Sequence, residues 1–171
     1  MNEKVENAIN KQINAEIYSA YLYLAMAAYF DSEGLEGFGN WMKIQAQEEM
    51  THAMKFYRWV FERGGKVVME AIDKPYGEYG SSLEVFEEVL KHEQEVTSLI
   101  NGLYELAIDE KDYAFQSMLK WFIDEQVEEE GNAQQIIDQV KLAGDKGPGL
   151  FMLDKELAGR TFVDDTQSEE E

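Results

Sequence analysis

The sequence predicts an all-α protein: an up-down four-helix bundle with one long crossover connection, plus a short fifth helix near the C-terminus. Three observations predict this fold. The two prolines and most of the glycines mark the ends of long segments. Within those segments apolar residues recur at alternating steps of three and four, and one connection is much longer than the others. With 171 residues the chain suits one domain, which we assign to residues 1–160.

Each expected helix is bounded by a start or stop signal. The cluster at residues 31–34 (DSEG) separates the first two helices, and Gly64-Gly65 ends the second. Ser81 and Glu84 have the spacing of a capping box, which starts the third helix. The expected helices span about residues 3–30, 35–63, 82–109, 113–142 and 150–157.

The connection lengths predict how the helices are arranged. A helix of about 28 residues is about 42 Å long, so the short first and third joins make their helix pairs antiparallel. The join between the second and third helices has about 17 residues, which reach about 56 Å when extended. That length is enough to cross the bundle and start the third helix parallel to the second.

The composition excludes several classes of function. The chain carries 35 acidic and 15 basic residues, a net charge of −20. Nucleic acids and anionic membranes bind through Lys and Arg patches, so we expect neither as a partner and instead expect cations or further copies of the chain. The absence of cysteine and of a signal peptide or spanning segment leads us to expect a cytoplasmic protein. Residues 161–171 hold five acids and no base, and we expect a disordered tail there.

Each long helix carries an apolar stripe that an acidic residue interrupts near its middle. Burying an unpaired carboxylate costs free energy. One buried acid in each of the four helices therefore indicates a shared cause and not four independent occurrences. A helix midpoint stays at mid-height whichever way the helix runs, and the acids therefore converge on one place. They are Glu16, Glu49, Glu93 and Glu129, joined by His52 on the same face as Glu49.

Carboxylate oxygens with one imidazole suit divalent iron or manganese better than zinc. Four glutamates bring four negative charges, which two divalent ions neutralise. One ion would take Glu16, Glu49 and His52, and the other would take Glu93 and Glu129, with Glu49 bridging.

Further residues lie beside this predicted centre. Tyr23 is seven residues after Glu16, placed to hydrogen-bond a ligand or to give up an electron. Glu48, Glu125 and Glu128 could share Glu129 as a third metal site. A solvated helical face is the alternative interpretation of these acids, because five acids fall within seven residues there.

Four segments carry these residues: 14–21 (NAEIYSAY), 47–53 (QEEMTHA), 91–93 (KHE) and 121–130 (WFIDEQVEEE). They strongly resemble the non-haem ferritins of bacteria and archaea, over about residues 3–158. The ligand pattern is part of that resemblance, since ferritin-like di-iron proteins use Glu from two helices and Glu-x-x-His from the others. The fourth helix departs from it with Gln126-x-x-Glu129, which favours a non-haem ferritin over a bacterioferritin, and no haem is expected.

The resemblance implies a ferroxidase that oxidises Fe(II) with dioxygen and stores ferric oxyhydroxide inside a hollow shell, typically of 24 copies. Two iron ions would occupy each ferroxidase centre, with a third ion adjacent. The matching positions are Glu16, Glu49 and His52 for the first iron site, Glu93, Glu129 and the bridging Glu49 for the second with Gln126 close by, and Glu48, Glu125, Glu128 and Glu129 for the third.

Two other functions fit the same residues. A di-iron or di-manganese peroxidase or oxygenase, as in the rubrerythrins, would use similar ligands. Those proteins usually add a cysteine-bound iron domain, and this chain has no cysteine. A purely structural helical bundle would bind no metal.

Overall fold

The computed structural model describes residues 1–167. They form α1 (Glu3–Ser32), α2 (Glu36–Glu62), α3 (Ser82–Asp109), α4 (Tyr113–Ala143) and α5 (Pro148–Leu157), followed by a short 3-10 helix at Asp165–Gln167. No strand occurs in this part of the chain, so the predicted all-α class with five helices is confirmed. Over the same residues, no helix has both the length and the apolar character that crossing a bilayer requires.

The connection between α2 and α3 runs along α1 from its start to its end. Near the start of α1, Asn10 donates to the carbonyl oxygen of Lys66 at 3.0 Å and accepts from the N–H of Val68 at 2.8 Å. Near the end of α1, the rings of Tyr29 and Tyr79 are 5.4 Å apart. Because α1 and α2 pack side by side across a short turn, this return path starts α3 parallel to α2, as predicted.

Two apolar clusters fill the bundle on either side of its middle. One contains the stacked rings of Phe30 and Phe38, 5.0 Å apart, and is extended by Leu150 of α5. The other contains the stacked rings of Phe56 and Phe122, 4.1 Å apart. The interrupting acids of the four stripes lie between these clusters, where water is largely excluded.

The predicted tail begins at residue 161. Its described part, residues 161–167, contacts α2 through the 3-10 helix, and Thr166 is 8% exposed. Lys55 donates from Nζ to the carbonyl oxygen of Thr166 at 3.4 Å. Residues 168–171 lie outside the described residues, and the prediction for them stays a prediction.

Candidate metal centre

Each long helix contributes one carboxylate to the middle of the bundle, and α2 adds an imidazole. None of the five residues is more than 4% exposed. Their positions on the buried stripes follow from the steps of three and four that place them on the inward face of each helix. The five residues are Glu16 on α1, Glu49 and His52 on α2, Glu93 on α3 and Glu129 on α4.

Glu16, Glu49 and His52 form the tightest group of potential ligands. One carboxylate oxygen from each glutamate and a ring nitrogen of His52 lie within 4.8 Å of one another. Nδ1 of His52 is 3.6 Å from Oε2 of Glu49, and its Nε2 is 3.9 Å from Oε1 of Glu125. Within residues 1–167 this is the one group of three potential ligands that meets this distance.

Glu93 and Glu129 are each held by side chains that donate to them. The Tyr23 hydroxyl donates to Oε1 of Glu93. The Gln126 amide donates from Nε2 to Oε2 of Glu93 at 3.2 Å, and the Gln45 amide donates from Nε2 to Oε2 of Glu129 at 2.8 Å. Gln126 thus contacts a predicted ligand through its amide nitrogen, which is a hydrogen-bond donor.

The carboxylates of the centre are buried and lie close to one another, and both features raise the pKa values of three of them. Burial raises the pKa of Glu16 to about 7, and the nearby Glu93 adds to the rise, while hydrogen bonds from Gln12 and Glu49 oppose it. Burial and then the charges of Glu93 and Glu16 raise the pKa of Glu49 well above its usual range. Burial followed by Glu93 does the same to the pKa of Glu129. Cations bound among these groups would stabilise the ionised carboxylates and so oppose all three shifts.

His52 is suited to bind a metal ion at neutral pH. Burial lowers the pKa of its imidazole to about 4, and the neighbouring Lys55 lowers it further. The ring is therefore neutral near pH 7, which leaves a nitrogen lone pair free for a metal ion. Its Nδ1 faces Glu49 in the buried group, while Nε2 faces Glu125 at the edge.

We call Glu48, Glu125, Glu128 and Glu129 the flanking group. Glu128 is exposed, Glu48 and Glu125 are half-buried, and Glu129 is buried. Burial and then the charges of Glu128 and Asp165 raise the pKa of Glu125 to about 7. Burial also raises the pKa of Glu48, although Arg160 opposes the rise. The charges of these acids act on one another, so the four side chains lie near one another beside the buried centre. Their use as a third metal site stays a prediction.

The profile of the ferritin-like domain matches residues 6–143, which is most of the chain. This chain belongs to the ferritin family. The bacterial non-heme ferritin of Bacteroides fragilis is 47% identical over 160 residues, covering 94% of this chain and 99% of that relative. The bacterial non-heme ferritin of Staphylococcus saprophyticus is 43% identical over 162 residues, covering 95% and 97%.

Solved structures support the same family membership. A ferritin of Archaeoglobus fulgidus, engineered into a closed form, superposes with a TM-score of 0.94 at 52% identity, covering 95% of this chain and 99% of that one. An open-pore ferritin of the same archaeon gives a TM-score of 0.92 at 52% identity, covering 94% and 99%. The predicted resemblance to the non-haem ferritins of bacteria and archaea is confirmed.

Three side chains of this ferritin support the centre but were not assigned a role from the sequence. Gln12 donates from Nε2 to Oε1 of Glu16 at 2.8 Å, and its spacing of four residues on one helix was a usable signal. Gln45 is buried on α2, yet nothing in the local sequence indicates that its amide reaches Glu129. Arg160 arrives from beyond α5, and no sequence pattern brings it to α2.

Proposed function

We propose that this ferritin-family protein stores iron: it oxidises Fe(II) with dioxygen at the buried centre and keeps the ferric oxyhydroxide product inside a hollow homo-oligomeric shell of 24 copies. The observation that carries the proposal is the convergence of four buried carboxylates and a neutral imidazole with no cationic partner in the same stripes. The names and the full-length similarity of the relatives support iron storage as the purpose of that centre.

In this proposal two Fe(II) ions are the substrates, one beside the other. Glu16, Glu49 and His52 hold the first, and Glu93 and Glu129 hold the second, with Glu49 shared between them. The charges of Glu16, Glu93 and Glu129 all act on Glu49, which supports a bridging position. Two neighbouring Fe(II) ions supply the two electrons that bring dioxygen to the oxidation level of hydrogen peroxide.

Hydrogen-bonding neighbours keep the second pair of ligands in place. Tyr23 and Gln126 donate to the Glu93 carboxylate, and Gln45 donates to Glu129. Such outer contacts orient metal ligands and reduce the rearrangement needed when an ion arrives. We assign Tyr23 this role at the site, and the contact also leaves its hydroxyl next to the reacting ions.

The flanking group is proposed to take a third iron ion. Glu129 belongs to both groups, so an ion there would lie next to the buried pair. The coupling of Glu125 to Glu128 and of Glu48 to Glu128 supports a common cation for these acids.

The shell is proposed from the family and from the surface of the chain. Leu142 is 89% exposed, and Phe151 and Met152 on α5 are 61% and 71% exposed. Large apolar side chains that are this exposed in a single copy suit burial between copies. We propose that the assembled protein works in the cytoplasm.

The rate at which the protein oxidises Fe(II) in air, followed by ferric absorbance, tests the proposal. Anaerobic Fe(II) addition followed by air should give ferric absorbance with the wild-type protein, and a variant with Glu49→Ala and His52→Ala should lose this activity. The matched control is Glu105→Ala, which removes an exposed acid from α3. A wild-type protein that oxidises iron no faster than buffer would overturn the proposal.

The alternative is a di-iron or di-manganese peroxidase or oxygenase that stores nothing. It would turn over an added organic substrate or peroxide without accumulating mineral. The names of the relatives favour storage.

A further inference from the structure

The segment after α5, residues 158–167, lies along α2, and we call it the C-terminal strap. At one end Asn40 donates from Nδ2 to the carbonyl oxygen of Arg160 at 3.0 Å. At the other end Lys55 donates to the carbonyl oxygen of Thr166. Between these points the strap passes Glu48, a member of the flanking group.

Arg160 places its guanidinium directly on the flanking group. Nη2 donates to Oε2 of Glu48 at 2.6 Å, and these two side chains are 23% and 18% exposed. The guanidinium carbon lies 4.6 Å from the ring centroid of Trp41, and Nη1 donates to the Trp41 carbonyl oxygen at 3.4 Å. Because Arg keeps its proton at any working pH, this positive charge leaves Glu48 only by moving away.

The same nitrogen, Nη2 of Arg160, also fixes the orientation of the Gln45 side-chain amide. Nη2 of Arg160 donates to Oε1 of Gln45 at 2.5 Å, so the amide group must present Nε2 on its other side. That Nε2 donates to Oε2 of Glu129 at 2.8 Å. A flipped amide would place its oxygen against a carboxylate and an NH₂ group against a guanidinium, and both contacts are repulsive. Arg160 therefore fixes the donor that holds Glu129.

A divalent cation on the flanking group would need the same carboxylate oxygens. Glu48 lies close to the acids Glu128 and Asp165, whose charges disfavour its ionised form, whereas Arg160 favours it. A guanidinium in this place supplies one of the charges that a metal ion would otherwise supply. A metal ion and Arg160 cannot both use Oε2 of Glu48 at full strength.

We propose that Arg160 is the internal counter-cation of the flanking group, and that a divalent cation binds there only by displacing the guanidinium from Glu48. Arg160 is thus a positioning residue that weakens the flanking group as a cation site, so this group fills after the buried centre. The inference rests on the proposed function only in treating the flanking group as a cation site.

Zn(II) titration by calorimetry tests this inference without any oxidation step. The flanking class of sites is identified as the class that weakens in Glu128→Gln, because the Arg160 guanidinium donates to the side chains of Gln45 and Glu48 and this variant leaves both in place. In Arg160→Gln that class should bind Zn(II) about three- to tenfold more tightly, the effect of removing a partly exposed ion pair that competes with the metal. Arg160→Lys keeps the positive charge but lacks the planar guanidinium with its several donors. Its Zn(II) affinity at the flanking class should lie between those of the wild type and Arg160→Gln.

Arg63→Gln is the matched control. Arg63 also pairs with a carboxylate, Asp112 at 3.0 Å, and lies over a tryptophan ring, Trp59 at 5.4 Å, but at the far end of α2. Arg63→Gln should lose about as much folding stability as Arg160→Gln does, but its Zn(II) affinity should equal that of the wild type. An Arg160→Gln protein that binds Zn(II) at the flanking class with unchanged or weaker affinity would overturn the inference.

A double-mutant cycle separates action through Glu48 from a general charge effect. In a Glu48→Gln background, Arg160→Gln should no longer tighten Zn(II) binding, and full tightening there would also contradict the inference. Iron oxidation is measured separately on the same proteins. A wild-type protein that oxidises no iron would reject the proposed function, while the Zn(II) comparison would still decide the role of Arg160.

Discussion

The Glu93 carboxylate accepts hydrogen bonds from two side chains, Tyr23 on α1 and Gln126 on α4. Tyr23 is fully buried, and burial followed by the charge of Glu93 raises the pKa of its hydroxyl well above the usual range. The hydroxyl therefore keeps its proton and acts as a donor. Removing it would leave a buried carboxylate with one side-chain donor fewer.

Tyr23→Phe should lower the free energy of unfolding by about 1.5–3 kcal/mol, the usual contribution of a hydrogen bond to a charged group. Urea unfolding of the metal-free protein measures this change. Tyr21→Phe is the matched control, because Tyr21 lies on the same helix with half of its surface exposed. It should change stability by less than about 0.5 kcal/mol. Equal stability of the two variants would contradict the role assigned to Tyr23.

The raised pKa of Glu16, about 7 against an ordinary 4.5, predicts a pH dependence of stability. The folded metal-free protein binds more protons than the unfolded chain between these values, so stability falls as pH rises through that window. Glu16 alone contributes a loss on the order of 3 kcal/mol. The lowered pKa of His52 acts in the opposite direction, but Glu49, Glu125 and Glu129 act with Glu16.

Unfolding in the presence of a chelator should therefore show higher stability at pH 5 than at pH 8. Glu16→Gln, which cannot ionise, should flatten part of this dependence. Zn(II) should stabilise the protein more at pH 8 than at pH 5, because the ligands must lose their protons to bind it. A metal-free protein that is more stable at pH 8 would show that the carboxylates are not crowded as described.

Sequence reasoning found the candidate ligands because burying an acid in an apolar stripe is costly and therefore informative. Glu16, Glu49, Glu93 and Glu129 all break such a stripe, and all four are buried. The supporting contacts of Gln45 and Arg160 depend on tertiary structure. Neither residue is a charged group that interrupts an apolar stripe, so no pattern in the neighbouring sequence indicates its contacts.

At the scale of the elements, α2 is capped by a residue from another helix. Its own N-cap residue, Leu35, makes no side-chain cap. Oδ1 of Asp154 on α5 instead accepts from the N–H groups of Gly37 at 2.8 Å and Phe38 at 3.1 Å. A Cβ at Gly37 would lie 1.6 Å from the Asp154 carbonyl oxygen, so glycine permits the close approach of α5.

Asp154→Ala should lower the free energy of unfolding by about 1–3 kcal/mol, because two buried N–H groups at a helix start lose their acceptor. Thermal or urea unfolding measures the loss. Asp145→Ala removes an exposed acid from the connection before α5 and serves as the control. If both variants unfold like the wild type, α5 does not cap α2.

Helix bounds were predictable because strong stop signals mark them. Gly64 and Gly144 follow α2 and α4 with positive φ angles of 70° and 80°, which glycine adopts readily. The start of α5 was placed two residues late, since the structure begins it at Pro148, a residue suited to the first helical position. The cap from Asp154 could not be predicted, because it joins residues more than a hundred positions apart.

Over the whole molecule, the net charge of −20 and the buried centre have a common explanation. Two apolar clusters stabilise the bundle on either side of a polar middle, and the proposed cations would neutralise the acids of that middle. The remaining acidic surplus favours the approach of Fe(II) to the protein. The fold was predictable from the sequence, whereas the number of copies in the proposed shell depends on surfaces whose partners are other chains.

Particle mass combined with iron content per chain tests the central claim most directly. After Fe(II) and air are supplied, native mass measurement with metal analysis should find a particle near 24 chains that carries far more iron per chain than the three ions the candidate ligands can hold. The variant with Glu49→Ala and His52→Ala should form the same particle and load iron more slowly. A monomer or small oligomer with at most three iron ions per chain would contradict iron storage.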